Sequence, residues 1–234
     1  MDLIKEALKL NIEISEKANE MLENYGKMLL KYNEFMNLTA ITEPEEVKEK
    51  HFLDSATLIL SEKLEEGMSL IDIGAGAGFP SMPVKIVRED LDVTMLDSLN
   101  KRINFLNDVI GELGLKNIKA VHSRAEDAGK NKALREKFDI ATARAVADLA
   151  VLAEYALPFV KIGGYFVAMK GNAPEIEINR AKKAIKEMGG EIESVKEVML
   201  PSGINHCLVI IKKVSNTPSK YPRKAGTPSK NPVI

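Results

Sequence analysis

The chain predicts an α/β fold built on a mostly parallel sheet, and two observations carry that prediction. From Ser69 onward, short apolar runs alternate with segments whose apolar residues recur at helical spacing, the order that strand–helix–strand crossovers produce. The first run, Ile71–Ile73, leads directly into Gly-Ala-Gly-Ala-Gly-Phe-Pro at 74–80. Glycines at a strand-to-helix turn let the backbone reverse sharply and let a ligand approach the main chain.

Taken in order, residues 3–36 place Ile4, Leu8, Leu10, Ile14, Ala18, Met21, Leu22, Tyr25, Leu29 and Leu30 at helical spacing with charges between, and Asn37 and Thr39 close the region. A second helical segment spans about Glu45 to Glu62, after Pro44 at a favoured start position. Strands are expected at Ser69–Ile73, Asp92–Leu96, Ile118–Val121, Asp139–Ala143, Tyr165–Met169, Val195–Leu200 and Cys207–Ile211. Helices fit between most of them, notably Leu99–Gly111, Asp148–Phe159 and Pro174–Met188. The last two strands are joined by Pro-Ser-Gly-Ile-Asn-His, a connection that suits an antiparallel hairpin rather than a crossover. The expected organisation is a helical extension (1–64), an α/β core (65–214) and a basic, proline-rich tail (215–234), all in a single structural domain.

Composition is that of an ordinary globular protein, 45% hydrophobic and 29% charged over 234 residues. No apolar stretch approaches about 18 residues, so no membrane span is expected. The N-terminus lacks the basic-then-apolar order of a secretion signal. The lone cysteine, Cys207, excludes a disulfide within the chain and fits a reducing, cytoplasmic compartment. No metal partner is expected.

The net charge of −1 conceals an asymmetry. From Lys212 to Ile234 there are six basic residues and no acidic ones. A basic tail on an acidic body is an electrostatic footprint for a polyanion, with Lys220, Arg223, Lys224 and Lys230 as candidate RNA contacts. Tyr221 amid the charges, with prolines at 218, 222, 228 and 232, points to a recognition segment, and the prolines limit the freedom such a tail would lose on docking. A solvated tail that contacts nothing accounts for the same charges.

The glycine spacing is G-x-G-x-G, whereas the dinucleotide fingerprint needs a glycine at position 79. Phe79 stands there instead and would crowd a pyrophosphate, which argues against an NAD(P)-dependent oxidoreductase. With Asp72 inside the strand end, the pattern D-x-G-x-G-x-G resembles motif I of the class I S-adenosylmethionine-dependent methyltransferases. Gly74, Gly76, Gly78 and Phe79 are the candidate cofactor loop.

Asp97 ends the second strand. An acid there accepts hydrogen bonds from a ribose diol, or caps the helix starting near Leu99, with Ser98 competing for that role. The third strand runs into Ser123-Arg124-Ala125-Glu126-Asp127, where Glu126 or Asp127 could face an adenine edge. Either acid is equally explained as a first-turn residue favoured by the helix dipole. The fourth strand ends Thr142-Ala143-Arg144-Ala145 and lacks the D/N-P-P-Y/F/W motif of exocyclic-amine methylation. Arg144 is a fork suited to phosphate, carboxylate or a guanine edge, or else a partner for Asp148 or Glu126.

Together these residues resemble one family across essentially the whole chain, the bacterial small-subunit rRNA (guanine-N7) methyltransferases known as RsmG or GidB. The resemblance rests on Asn37-Leu38-Thr39-Ala40, His51-Phe52-Leu53-Asp54-Ser55, the 72–80 loop, Leu96-Asp97-Ser98-Leu99-Asn100-Lys101-Arg102, Ser123–Asp127, Thr142–Ala145, Lys170-Gly171 and Lys220–Lys224. Ser81-Met82-Pro83 departs from the family's usual Gly-Ile-Pro, a change expected to touch helix packing and not chemistry. The resemblance implies a Rossmann-like seven-stranded sheet with extra N-terminal helices. It also implies S-adenosylmethionine as cofactor and one guanosine of 16S rRNA, presented by RNA or an assembling small subunit, as substrate. The cofactor would lie against Gly74 and Phe79, with Ala125 and Glu126 at the adenine, Asp97 at the ribose and Arg144 beside the methyl donor. Arg144 and Lys170 are cast as positioning residues, and no acid–base residue is assigned. A non-enzymatic RNA-binding or assembly factor with a degenerate loop is the rival class; the intact Asp72, glycines and Asp97 count against it.

Overall fold

Seven apolar runs pair edge to edge in the computed structural model, which describes residues 1–172 and 174–234. The strands are β1 (Ser69–Ile73), β2 (Asp92–Asp97), β3 (Ile118–His122), β4 (Phe138–Arg144), β5 (Val160–Gly171), β6 (Gly190–Met199) and β7 (Asn205–Lys213), in the order β3-β2-β1-β4-β5-β7-β6. The first five are parallel, and β7 runs antiparallel to both β5 and β6. The order reverses between β1 and β4, where a doubly wound sheet opens a crevice at its carboxyl edge. The short 200–204 connection closes the β6–β7 hairpin, as expected.

The helices follow. The extension holds α1 (Leu3–Lys9), α2 (Glu16–Met36), α3 (Pro44–Val47), a π-turn at Lys48–Leu53, α4 (Asp54–Ala56) and a 3-10 turn at Thr57–Ser61. The crossovers are α5 (Ser81–Val87), α6 (Asn100–Glu112), α7 (Ala125–Ala128), α8 (Leu149–Ala156) and α9 (Glu175–Glu187); α10 (Thr227–Lys230) lies in the tail. Continuous helical spacing over 3–36 conceals a break. Asn11 takes a left-handed φ of 59°, and Ser15 then caps α2 by accepting from the Ala18 amide. Asn37, also left-handed, ends α2.

Two apolar clusters flank the sheet. On one side α1, α2 and the 44–61 segment pack with α5 and α6 against β1 and β2 through Leu22, Tyr25, Leu29, Phe52, Met82, Phe105 and Leu106. On the other, α8 and α9 cover Ile71, Ile73, Ala141, Phe166 and Val209. Cys207 is buried and free. Among the described residues, no helix is long and apolar enough to cross a membrane.

The tail is docked. Arg135 donates to the carbonyls of Gly129, Thr217, Pro218 and Tyr221. Tyr221 is buried and donates to Glu187 at 2.5 Å. Glu154, 1% exposed, binds the Arg223 guanidinium and its backbone amide. Removing one partner of a buried pair leaves the other charge uncompensated. Glu154→Ala should therefore cost about 1.5–3 kcal/mol, the range for hydrogen bonds to charged groups. Trypsin should cleave after Lys220–Lys224 in that variant well before it cleaves the wild type, and equal resistance would show that other contacts hold the tail.

Candidate cofactor and substrate cleft

At the carboxyl edge of the sheet the chain leaves two adjoining cavities, of about 220 and 390 Å3, which share Gly74, Asp97, Ser98 and Val146. The smaller continues along Ser123–Glu126 to Tyr155, Gly226 and Ser229; the larger continues along Ala75–Ala77 and Phe79 to Leu38, Thr39, His51, Arg102 and Arg144. The sequence thus places Gly74, Gly76, Phe79, Asp97, Ala125, Glu126 and Arg144 on one cleft.

The glycines of the loop do different work. Gly76 has a φ of 61°, and a Cβ there would find only the Gly74 carbonyl, at 3.9 Å, so its face is open to the cavity. Gly78 (φ 101°) is a packing requirement, because a Cβ would meet the Tyr25 hydroxyl at 2.8 Å and Met82 and Leu106 at 3.0 Å. Gly78 lines neither cavity. Tyr25 also donates to the Ala77 carbonyl, which pins the loop to α2.

Asp97 joins loop and helix. Oδ2 accepts from the Gly76 amide at 2.9 Å and from Arg102 at 3.3 Å; Oδ1 accepts from the Leu99 amide at 2.9 Å. The carboxylate therefore makes the cap-like turn and at the same time faces both cavities, the position a ribose-binding acid needs. The structure also separates the two acids after β3. Glu126 is buried, lines the smaller cavity and accepts from the Gly226 amide of the tail at 2.9 Å, whereas Asp127 is exposed and lines neither cavity. Buried Asp72 accepts from the Ser81 amide and hydroxyl through Oδ2 and leaves Oδ1 unpartnered; burial pushes its pKa up to about 7.

Arg144 projects from the end of β4 and finds neither Asp148 nor Glu126. Its guanidinium pairs with Asp54 of α4 and donates to the Lys50 carbonyl (3.1 Å) and to His51 Nδ1 (3.1 Å). It lies 4.9 Å from the centre of the Phe79 ring, which His51 stacks at 4.3 Å. Much of the fork is therefore committed within the protein. Sequence reasoning gave Asp54 and His51 no separate site role; the signal was their presence in the 51–55 segment. Lys170 is held by Glu177 (2.6 Å) and the Ala147 carbonyl (2.9 Å) and lines neither cavity. In the tail, Lys224 and Lys230 are exposed, Lys220 stands 3.8 Å from Glu187, and Arg223 is taken by Glu154.

The donor set of the cleft suits S-adenosylmethionine, with an open glycine face at Gly76, the Asp97 carboxylate facing both cavities and the buried Glu126 carboxylate lining the smaller one. Among the described residues, no group of three or more His, Cys, Asp or Glu side chains could hold a metal ion.

This sheet order and this cleft define a class I, Rossmann-like methyltransferase. Among solved structures with the fold, a SAM-dependent methyltransferase from Aquifex aeolicus matches 75% of this chain and 96% of its own at TM-score 0.54 and 18% identity. M. jannaschii TYW2, solved in complex with AdoMet, matches 64% of this chain and 71% of its own at TM-score 0.53 and 16% identity. Residues 18–206 match the GidB family model, described as rRNA small subunit methyltransferase G, and the chain belongs to that family. Relatives named ribosomal RNA small subunit methyltransferase G include one from Alkaliphilus metalliredigens, 51% identical over 96% of this chain and 95% of its own. Another, from Clostridium perfringens, is 47% identical over 99% and 98%.

The environment of His51 makes a prediction. Burial and the Arg144 charge lower its pKa from 6.5 to about 4. The native state thus resists a proton that the unfolded chain accepts, so stability from this group is lost as pH falls from about 6.5 to about 4. In an NMR titration the His51 ring should hold constant shifts from pH 8 to 5; titration near 6.5 would show the ring is solvated.

Proposed function

We propose that this chain transfers a methyl group from S-adenosylmethionine to N7 of one guanosine in 16S rRNA, acting in the cytoplasm on RNA or on the small subunit. The observation that carries this reading is the electrostatic character of the larger cavity. Both of its arginines are paired, Arg144 with Asp54 and Arg102 with Asp97, its histidine is held neutral, and the Phe79 ring forms part of its lining.

Guanine N7 has an in-plane lone pair and no proton, so no general base is needed. When bound, S-adenosylmethionine would supply a sulfonium methyl group, which N7 would take up as the carbon–sulfur bond breaks, so that the positive charge would pass to the base. An uncompensated cation beside that base would oppose the transfer, whereas an ion-paired arginine does so far less. The residues of the chain then orient and exclude water. Asp97, which clamps the Gly76 amide, would hold the ribose beside the loop, and Glu126 with the Gly226 strap would border the adenine. Arg144 orients Phe79 and His51 as a wall. RNA phosphates would meet the exposed Lys224 and Lys230 before Arg223, whose charge is already paired.

Mass spectrometry of 16S rRNA from cells with and without the gene tests the reading. One 7-methylguanosine should disappear on deletion and return with a wild-type copy. It should not return with Gly76→Val, which adds a branched side chain at a left-handed φ on the open face of the loop. An unchanged 7-methylguanosine content on deletion contradicts the proposal.

A further inference from the structure

Thr39 is held by more of the protein than a loop residue needs. Asn33 accepts its amide at 2.9 Å and that of Leu38 at 2.7 Å through one oxygen, and donates to the Thr39 carbonyl at 2.9 Å. The side chain is equally constrained. Arg144 can only donate, so its contact at 3.1 Å makes His51 Nδ1 an acceptor. The neutral ring then carries its proton on Nε2 and donates to Thr39 Oγ1 at 2.7 Å. The Ile41 amide donates to the same oxygen at 3.0 Å. With both lone pairs filled, Thr39 retains one capability, a proton to donate. No acceptor for it occurs among the described residues, and Thr39 lines the larger cavity.

We infer that the Thr39 hydroxyl donates to O6 of the target guanine, an inference that rests on the guanine-N7 reading above. N7 must stay free to react, so the acceptor beside it on the same edge, O6, is the atom a donor can bind without blocking the chemistry. Adenine presents an amino group at that position, and a side chain with only a proton to offer cannot pair with it. The tautomer set by Arg144 and His51 thus becomes a purine selector. The cofactor candidates Gly76, Phe79 and Arg144 line the same larger cavity as Thr39, so cofactor affinity is the readout that separates a contact to the cofactor from one to the base.

The test uses small subunits from cells lacking the gene, with kcat and KM for methyl transfer and calorimetry for S-adenosylmethionine. Thr39→Val should lower kcat/KM about tenfold, equivalent to about 1.4 kcal/mol, with cofactor Kd within about twofold. Thr39→Ser should restore activity to within about threefold. Thr39→Ala, which also lacks the proton, carries the same test if valine does not fold. Subunits reconstituted with 16S rRNA containing 6-thioguanosine separate a contact from a structural role. The wild type should lose activity on the weaker acceptor, and Thr39→Val should treat both substrates alike. Wild-type kcat/KM in Thr39→Val, a matching loss of cofactor affinity, or failure of Thr39→Ser to rescue would overturn the inference. A wild-type protein that puts no methyl group on N7 would overturn the reading beneath it instead.

Discussion

A guanidinium held at the end of a central strand, out of most solvent, has to be neutralised where it sits. In this chain the neutralising carboxylate comes from outside the sheet. Arg144 ends β4, and Asp54 belongs to the helical extension 90 residues earlier. Breaking such a pair strands a charge, so the extension is tied to the cleft wherever it docks. The Lys50 carbonyl and His51 are drawn to the same guanidinium, and His206 of β7 stands 3.1 Å from Asp54 Oδ1. One ion pair thereby ties the extension to the end of β4 and brings it against the start of β7.

The glycine loop is braced from the same side. Tyr25 bonds the Ala77 carbonyl and packs against Phe52 and Phe79, while Asp97 holds the Gly76 amide from the sheet. A loop fixed from two directions presents its open face without rearrangement, which is what positioning chemistry requires. The tail completes the opposite end, where Gly226 meets Glu126 and Ser229 meets Tyr155. The basic residues that stand out in the sequence therefore divide into those that dock the tail and those that remain exposed.

Much of this was legible from local pattern. Apolar runs marked every strand to within a few residues at most ends, most clearly in β1, β2 and β4, where burial on both faces leaves little polar alternation. β5 is longer than its apolar stretch because Val160 pairs with Phe138, and Lys161–Gly164 form the irregularity before Tyr165 pairs with Ile140. Asp97 and the loop were legible because a strand, glycines and an acid at fixed spacing have few other uses. What pattern could not supply was partnership across long separations. Asp54 for Arg144 and Glu154 for Arg223 are pairings that only the fold creates. The same holds for Thr39, whose neighbours Asn33, Ile41 and His51 are near in sequence but whose donor role depends on Arg144.

A double-mutant cycle on Asp54 and Arg144 tests the organising role of their pair most directly. Asp54→Asn, Arg144→Gln and the double variant would be compared with the wild type by urea unfolding. The account predicts a coupling of about 1–3 kcal/mol, with the double variant less destabilised than the two single losses combined. Losses that add to within about 0.5 kcal/mol would show that the extension is held over the cleft by its apolar packing alone.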